Sequence, residues 1–298
     1  PLLLAAEHSE KIELMTSIAV AFARNPMNVA NLAHDLNAYS KGRFTVGLGS
    51  QIKPHITRRF SMPWSHPAPR MREFILAMRA IWACWYEGKP LEFQGEFYSH
   101  TLMTPMFSPK NTEYGAPRVF LAAVGPKMTE VAGEVGDGLI AHGFTTEKYL
   151  REVTLPAMER GLAKAGRDRR NFEVSCPVFV VTGDGDEERE ASRRGACQQL
   201  AFYASTPTYH SVLNFHGWQE AGDVLHRMSR EGRWKEMPGV ISDAMLDEWA
   251  IVATCEDFAA KTLERCGGIF DTVLLDFDPA IRADENWVAK TVATLQAG

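Results

Sequence analysis

The sequence has no apolar run near the roughly 20 residues that a membrane-spanning helix needs. The long ones, such as Ile18 to Phe22 and Val178 to Val181, stop far short. Cysteine is scarce. The five present (Cys84, Cys176, Cys197, Cys255, Cys266) are odd in number, widely spaced and free of any C-x-x-C pair, which argues against a disulfide framework or a zinc knuckle and fits a reducing cytoplasm. Basic charge is not concentrated either: 32 Lys and Arg are spread along a chain of net charge -5, which leaves no footprint for nucleic acid or an anionic membrane. G-x-S-x-G, H-E-x-x-H and Walker A patterns are missing, as is an H-x-H pair at a strand end. That argues against serine hydrolases, zinc proteases, P-loop NTPases and the usual metallohydrolase barrels, so no metal is expected. The sequence also lacks an initiator Met. It opens on Pro1 and enters at once a helical stretch, Leu2 to His8, with neither the basic n-region nor the cleavage site of a secretory signal. The expectation is that residue 1 falls inside a larger domain.

What remains is an ordinary globular composition, 45% hydrophobic over 298 residues, enough to bury one or two cores. Glu13 to Phe22, rich in Thr, Ile and Val and closed by Arg24-Asn25-Pro26, reads as a buried strand followed by Pro at the first turn of a helix. In that helix Val29, Leu32, Ala33, Leu36 and Tyr39 share one face. Phe44 to Gly49 is a second strand. A long polar loop, Ser50 to Pro69, leads to an amphipathic helix whose core stripe is Met71, Phe74, Ile75, Met78, Trp82 and Trp85. Leu91 to His100 reads as a hairpin turning at Gly95. Strands at 118–123, 138–141, 173–181 and 271–277 then alternate with helices at 126–135, 145–165, 256–266 and 285–295, and residues 183–250 intervene as acidic, helical, Trp-containing sequence. Such alternation, without an internal repeat or a linker-like break, means an α/β protein: a parallel sheet with right-handed crossovers in one domain over residues 1–298. The only glycine-marked strand end resembling a dinucleotide fingerprint, Gly47-Leu48-Gly49-Ser50, lacks the third glycine. A TIM (β/α)8 barrel is therefore favoured over a doubly wound sheet, with its first β-α-β expected before Pro1 and a helical insertion after strand seven.

Ligands of such barrels sit at the C-terminal ends of the strands. There Val124-Gly125-Pro126-Lys127-Met128 is the most informative segment: Gly lets a ligand approach the backbone, and Pro126 starts a helix whose free N–H groups favour phosphate. The competing account is an ordinary βα turn. Gly49 and Ser50 admit the same pair of readings, ligand approach or relief of crowding. His142, directly after a strand, and His55, in a polar loop with Lys53, Arg58, Arg59 and His66, are weak catalytic candidates beside structural or solvated roles. His8 reads as structural.

The segments Thr16 to Val20 with Arg24-Asn25-Pro26, Gly42-Arg43-Phe44 through Ser50, Phe93-Gln94-Gly95-Glu96-Phe97-Tyr98, and Leu121 to Pro126 with Ala132-Gly133-Glu134-Val135-Gly136-Asp137-Gly138 together resemble the bacterial luciferase-like monooxygenase family, in particular its deazaflavin (coenzyme F-420) dependent oxidoreductases. The resemblance implies a TIM barrel with a strand bulge, often carrying a non-prolyl cis peptide, at Ser17 and Ile18 behind the cofactor ring. It implies ring contacts from Gly49, Ser50 and Gln51, and a phosphate held by Val124, Gly125, Pro126, Lys127 and Met128. It places the principal catalytic residue upstream of Pro1, and it implies a small-molecule substrate and pairing as a homodimer. Alternatives are an FMN-dependent monooxygenase using oxygen and a flavin reductase partner and, in another class, a non-catalytic cofactor-binding or subunit-pairing barrel.

Overall fold

Runs of small and branched apolar residues, FTVGLG, RVFLAA and GLIA, form parallel strands buried along most of their length, as strands covered on both faces are. The structure, a computed structural model, describes residues 1–277 and 279–297. Its elements begin α1 (Leu2–Glu7), β1 (Leu14–Met15), β2 (Ala19–Val20), α2 (Pro26–Tyr39), β3 (Phe44–Gly49), α3 (Pro67–Glu87), β4 (Phe93–Gln94), β5 (Ser99–His100), β6 (Arg118–Ala123), α4 (Pro126–Val135) and β7 (Gly138–Ala141). There follow α5 (Glu147–Tyr149), α6 (Leu155–Lys164), β8 (Glu173–Val181), α7 (Asp186–Ala204), α8 (His210–Phe215), α9 (Gln219–Arg230) and α10 (Asp243–Trp249). The chain ends with β9 (Ala250–Val252), α11 (Phe258–Cys266), β10 (Thr272–Leu275), α12 (Pro279–Ala283) and α13 (Glu285–Ala297). These elements form two compact units, one of Pro1–Ile140 with Pro156–Glu173, the other of Ala141–Leu155 with the chain from Val174 onward. No helix among the described residues is long and apolar enough to cross a membrane.

In the first unit β1 and β2 both pair parallel with β3, β3 pairs parallel with β6, and β7 lies beside β6. The α3 stripe behaves as its spacing predicts, with all six residues buried. The α2 face is rotated from expectation: Leu32 and Tyr39 are about half exposed (48% and 49%), and His34 and Asn37 are buried instead. Each finds a partner there, His34 Nδ1 in the Tyr86 hydroxyl at 2.6 Å and Asn37 Nδ2 in the Gly115 carbonyl at 3.1 Å, while the buried Asn37 Oδ1 has none among the described residues, so these bonds offset part of the cost of burial. Asn25 caps α2 by accepting from the Asn28 N–H, with Pro26 in the first turn as expected.

The Ala132-to-Gly138 motif closes the sheet from below. A Cβ on Gly133 would run into the Met158 carbonyl of α6, and one on Gly138 into the Phe120 ring. Asp137 accepts from the Val119 N–H at 2.9 Å, from Arg79 at 2.9 Å and from Arg167 at 3.2 Å. Burial disfavours the charge of Glu134, but hydrogen bonds from Lys164 and Arg72 outweigh it and hold the carboxyl below its ordinary range. These residues precede β7, at the strand end that serves stability rather than chemistry.

In the second unit β8 pairs parallel with β10 (Val273 opposite Cys176) and, further along, with β9 (Ile251 opposite Val180). Strand β9 was not expected; at three residues it is shorter than any period that a sequence pattern resolves, and it shortens the insertion that was drawn to residue 250. The expected last strand, 271–277, contracts to Thr272–Leu275. Within the insertion, Leu200, Ala201, Ala204, Leu213, Leu225, Met245 and Trp249 make a core of their own. Because Asp137 joins two arginines and a strand N–H, Asp137→Ala is expected to lower stability by about 3 kcal/mol through the cations it strands. Urea unfolding with the slope unchanged would report it as a shifted midpoint.

Candidate cofactor site at the strand ends

The segment expected as one strand, Glu13 to Phe22, is two short strands separated by a bulge. Leu14 and Met15 lie opposite Phe44 and Thr45, and Ala19 and Val20 opposite Leu48 and Gly49, so residues 16–18 face only residues 46 and 47. One residue is extra, and the ladder is open there. Thr16 closes it with its side chain: its hydroxyl donates to the Gly47 carbonyl at 2.8 Å and accepts from the Gly47 N–H at 2.9 Å. The Ser17–Ile18 peptide is cis, where the resemblance implied a non-prolyl cis bond. Ser17 is exposed and Ile18 half-buried.

Both glycines of β3 are demanded by the chain itself. A Cβ on Gly47 would fall on the Thr16 backbone oxygen, and one on Gly49 would lie 2.7 Å from the Ile18 side chain. Ser50 donates to the Gln51 carbonyl, and Gln51 adopts φ +59°. Register places Ala19, Leu48 and Leu121 side by side on three adjacent strands. Thus β2, β3 and β6 lie side by side in that order, with Ser17 and Ile18 just before β2, Gly49 and Ser50 at the end of β3, and the start of α4 following β6.

That start differs in kind. Gly125, the N-cap of α4, has φ -95° and ψ 157°, which any residue adopts, and an added Cβ would meet nothing within 4 Å. Neither backbone strain nor internal packing requires glycine here. No side chain caps the helix; Met128 N–H turns back to the Gly125 carbonyl, Pro126 has no N–H, and Pro126 and Lys127 are exposed. An uncapped first turn with open space beside it can receive an anion.

The two histidines separate. His55 is exposed in a π-helical turn (His55–Arg59) that buries only Ile56. His8 is exposed too, at the end of α1, and its structural reading is not supported. His142, in the second unit, has both ring nitrogens engaged: Nδ1 accepts from the Phe144 N–H at 3.0 Å, which fixes the proton on Nε2, and Nε2 donates to the Tyr209 hydroxyl at 3.1 Å. Tyr203 stands edge-on to the ring at 4.8 Å. Burial pushes the His142 pKa down to about 4, so the ring is neutral at neutral pH. Sequence reasoning missed Tyr203 and Tyr209, which lie in the insertion without a motif around them. Among the described residues no cluster of His, Cys, Asp and Glu could hold a metal ion.

The family profile for luciferase-like monooxygenases matches residues 1–272, and the chain belongs to that family. An uncharacterized protein of Mycobacterium tuberculosis is 55% identical over 274 residues, 92% of this chain and 81% of that protein. The F420-dependent glucose-6-phosphate dehydrogenase of Rhodococcus erythropolis is 30% identical over 237 residues, 76% of this chain and 66% of that enzyme. Among solved structures, the coenzyme F420 dependent tetrahydromethanopterin reductase of Methanopyrus kandleri aligns with a TM-score of 0.74 at 20% identity, covering 92% of this chain and 80% of that one. The fold is that of the luciferase-like TIM barrels.

The neutral, buried His142 carries a pH signature. Its folded pKa lies below the unfolded value of 6.5, so the unfolded chain alone takes up a proton as pH falls from about 6.5 towards 4, and stability drops across that window. Burial lowers the pKa of His34, His100 and His216 as well, so the contribution of His142 is read as a difference. Between pH 6.5 and 4 the native chain should lose up to about 3 kcal/mol more than His142→Gln in urea unfolding. Parallel pH profiles for the two proteins would show instead that His142 titrates in the folded chain as it does in the unfolded one.

Proposed function

We propose that this chain is a deazaflavin-dependent oxidoreductase that transfers a hydride between coenzyme F420 and a small organic substrate. The observation that carries the reading is the open, uncapped start of α4, where Gly125 is required by nothing inside the protein. The F420-dependent relative at 30% identity supports the choice of cofactor. In this reading the backbone of Val124, Gly125, Lys127 and Met128 holds the cofactor phosphate, with Pro126 presetting the helix turn. Ser17 and Ile18 on the bulge, with Gly49 and Ser50 beside them, back the ring. The cofactor, when bound, supplies the hydride-carrying carbon. The residues of this chain bind it, fix its orientation and keep water away.

Titration with F420 and, separately, with FMN, followed by absorbance, tests the proposal. F420 should bind. Gly125→Val should fold with an unchanged melting temperature, since its φ and its surroundings accept a side chain, and should lose about tenfold or more in F420 affinity because the methyls occupy the approach to the N–H groups. Lys127→Ala should lose less, with a deficit that shrinks at high salt. Unchanged affinity in folded Gly125→Val sinks the phosphate assignment. Binding of FMN in place of F420 would instead make the chain a flavin monooxygenase served by a reductase, and binding of neither would leave a non-catalytic barrel.

A further inference from the structure

Among the described residues Arg70 is the one arginine more than nine-tenths buried (7% exposed), and no carboxylate there lies within ion-pair distance of it. Glu73, one turn further along α3, is committed elsewhere: its carboxylate accepts the N–H groups of Glu96, Phe97 and Tyr98 and so fixes the hairpin turn. Arg70 instead spends its guanidinium on three separate segments. Nε donates to the Tyr98 hydroxyl at 3.0 Å, Nη1 donates to the Pro63 carbonyl at 2.8 Å, and the guanidinium carbon lies 4.5 Å from the centre of the Phe22 ring, just beyond β2. Trp64, next to Pro63, meets the same Phe22 ring edge-on at 5.7 Å.

The segment so held is the long one that leaves β3 at Gly49 and enters α3 at Pro67. It contains three of the four non-glycine residues with positive φ among the described residues, namely Gln51 (+59°), Ser61 (+55°) and His66 (+37°), together with the π-helical turn His55–Arg59. Such conformations persist only where surrounding contacts hold them. The segment starts at the end of β3 and is fastened at Phe22, two residues beyond the end of β2, so it runs from one strand end to the other.

We propose that residues 50–66 form a strained cover over the ends of β2 and β3, and that Arg70 is the positioning residue that latches it through Pro63, Phe22 and Tyr98. The segment opens as a unit when the latch releases, and its closed position is set by the guanidinium fork and not by an ion pair. This inference does not depend on which cofactor binds.

Limited trypsin digestion of the full chain reads the open population directly, because Arg58 and Arg59 are exposed in the cover and neither is followed by proline. Arg70→Met, which keeps the bulk and removes the fork, should be cut after Arg58 and Arg59 on the order of tenfold faster than the native chain at an unchanged melting temperature, with other sites unaffected. Arg70→Lys should restore part of the protection, since an ammonium keeps the charge and cannot reach both oxygen acceptors. Trp64→Ala, in the cover itself, should open the same two bonds without touching α3, which keeps the test decisive if Arg70→Met fails to fold. Native-rate cleavage at Arg58 and Arg59 in a folded Arg70→Met, or in Trp64→Ala, would overturn the latch; so would acceleration spread over the whole chain with a lowered melting temperature, which is what a purely structural arginine gives.

Discussion

A single threonine hydroxyl substitutes for a missing rung of the sheet. An extra residue between β1 and β2 interrupts their pairing with β3, and an open ladder would leave the N–H and C=O of Gly47 without partners. The Thr16 hydroxyl takes both. Because it does, the chain re-enters register one residue later, with Ala19 beside Leu48 and Leu48 beside Leu121. The bulge thus ends against the C-terminal ends of the neighbouring strands. The glycines at 47 and 49 follow from the same constraint: the first makes room for the Thr16 backbone, the second for Ile18. Their smallness is a packing requirement of the bulge.

Gly125 stands in contrast. In α2, in α5 and in α10 a side chain at the N-cap, Asn25, Thr146 or Ser242, accepts a backbone N–H of the first turn. At α4 the N-cap has no side chain and the space over it is clear. A capping serine or aspartate would satisfy those N–H groups at a gain of about 1 kcal/mol. Forgoing that gain leaves the Lys127 N–H available to something from outside; since Gly185 at the start of α7 is likewise uncapped and unobstructed, the physical case for a phosphate at α4 rests on its open glycine together with its place after β6.

Much of the fold was legible because a helix buried on one face carries a clear period and a short continuous apolar run marks a strand covered on both faces. The α3 stripe, the strands 44–49, 118–123, 138–141 and 173–181, and the hairpin at Gly95 all lie where alternation and spacing predict. Expectation failed where polar groups find partners at long range: nothing local announces that His34 meets Tyr86 or that Asn37 meets Gly115, so the α2 face was drawn through Leu32 and Tyr39. Strand β9 was too short to show a period. At the site, the bulge and the helix start were legible, the first through resemblance and the second through Gly-Pro chemistry. The His142–Tyr209 pair was not, since Tyr209 comes from the insertion 67 residues away. Arg70 escaped notice as well, because an arginine in an amphipathic helix is ordinarily a solvated one.

The motifs that mark the family are for the most part those that close the fold. Phe93-Gln94-Gly95-Glu96-Phe97-Tyr98 is a turn whose N–H groups wrap the Glu73 carboxylate, and a Cβ on Gly95 would fall on that carboxylate. Ala132-to-Gly138 is a helix–strand joint made by close backbone approach and the Asp137 cluster. Such residues are tied to their positions by packing and hydrogen bonding whatever the chain binds, so their presence speaks for the barrel and not for a substrate. The insertion obeys no such constraint. Its aromatic residues Tyr203 and Tyr209 gather on His142, at the end of β7, through ring contacts that many side-chain combinations could replace. Residues that packing leaves free to vary are where related barrels can differ in what they accept, so the motifs that place this chain in its family say nothing of a substrate.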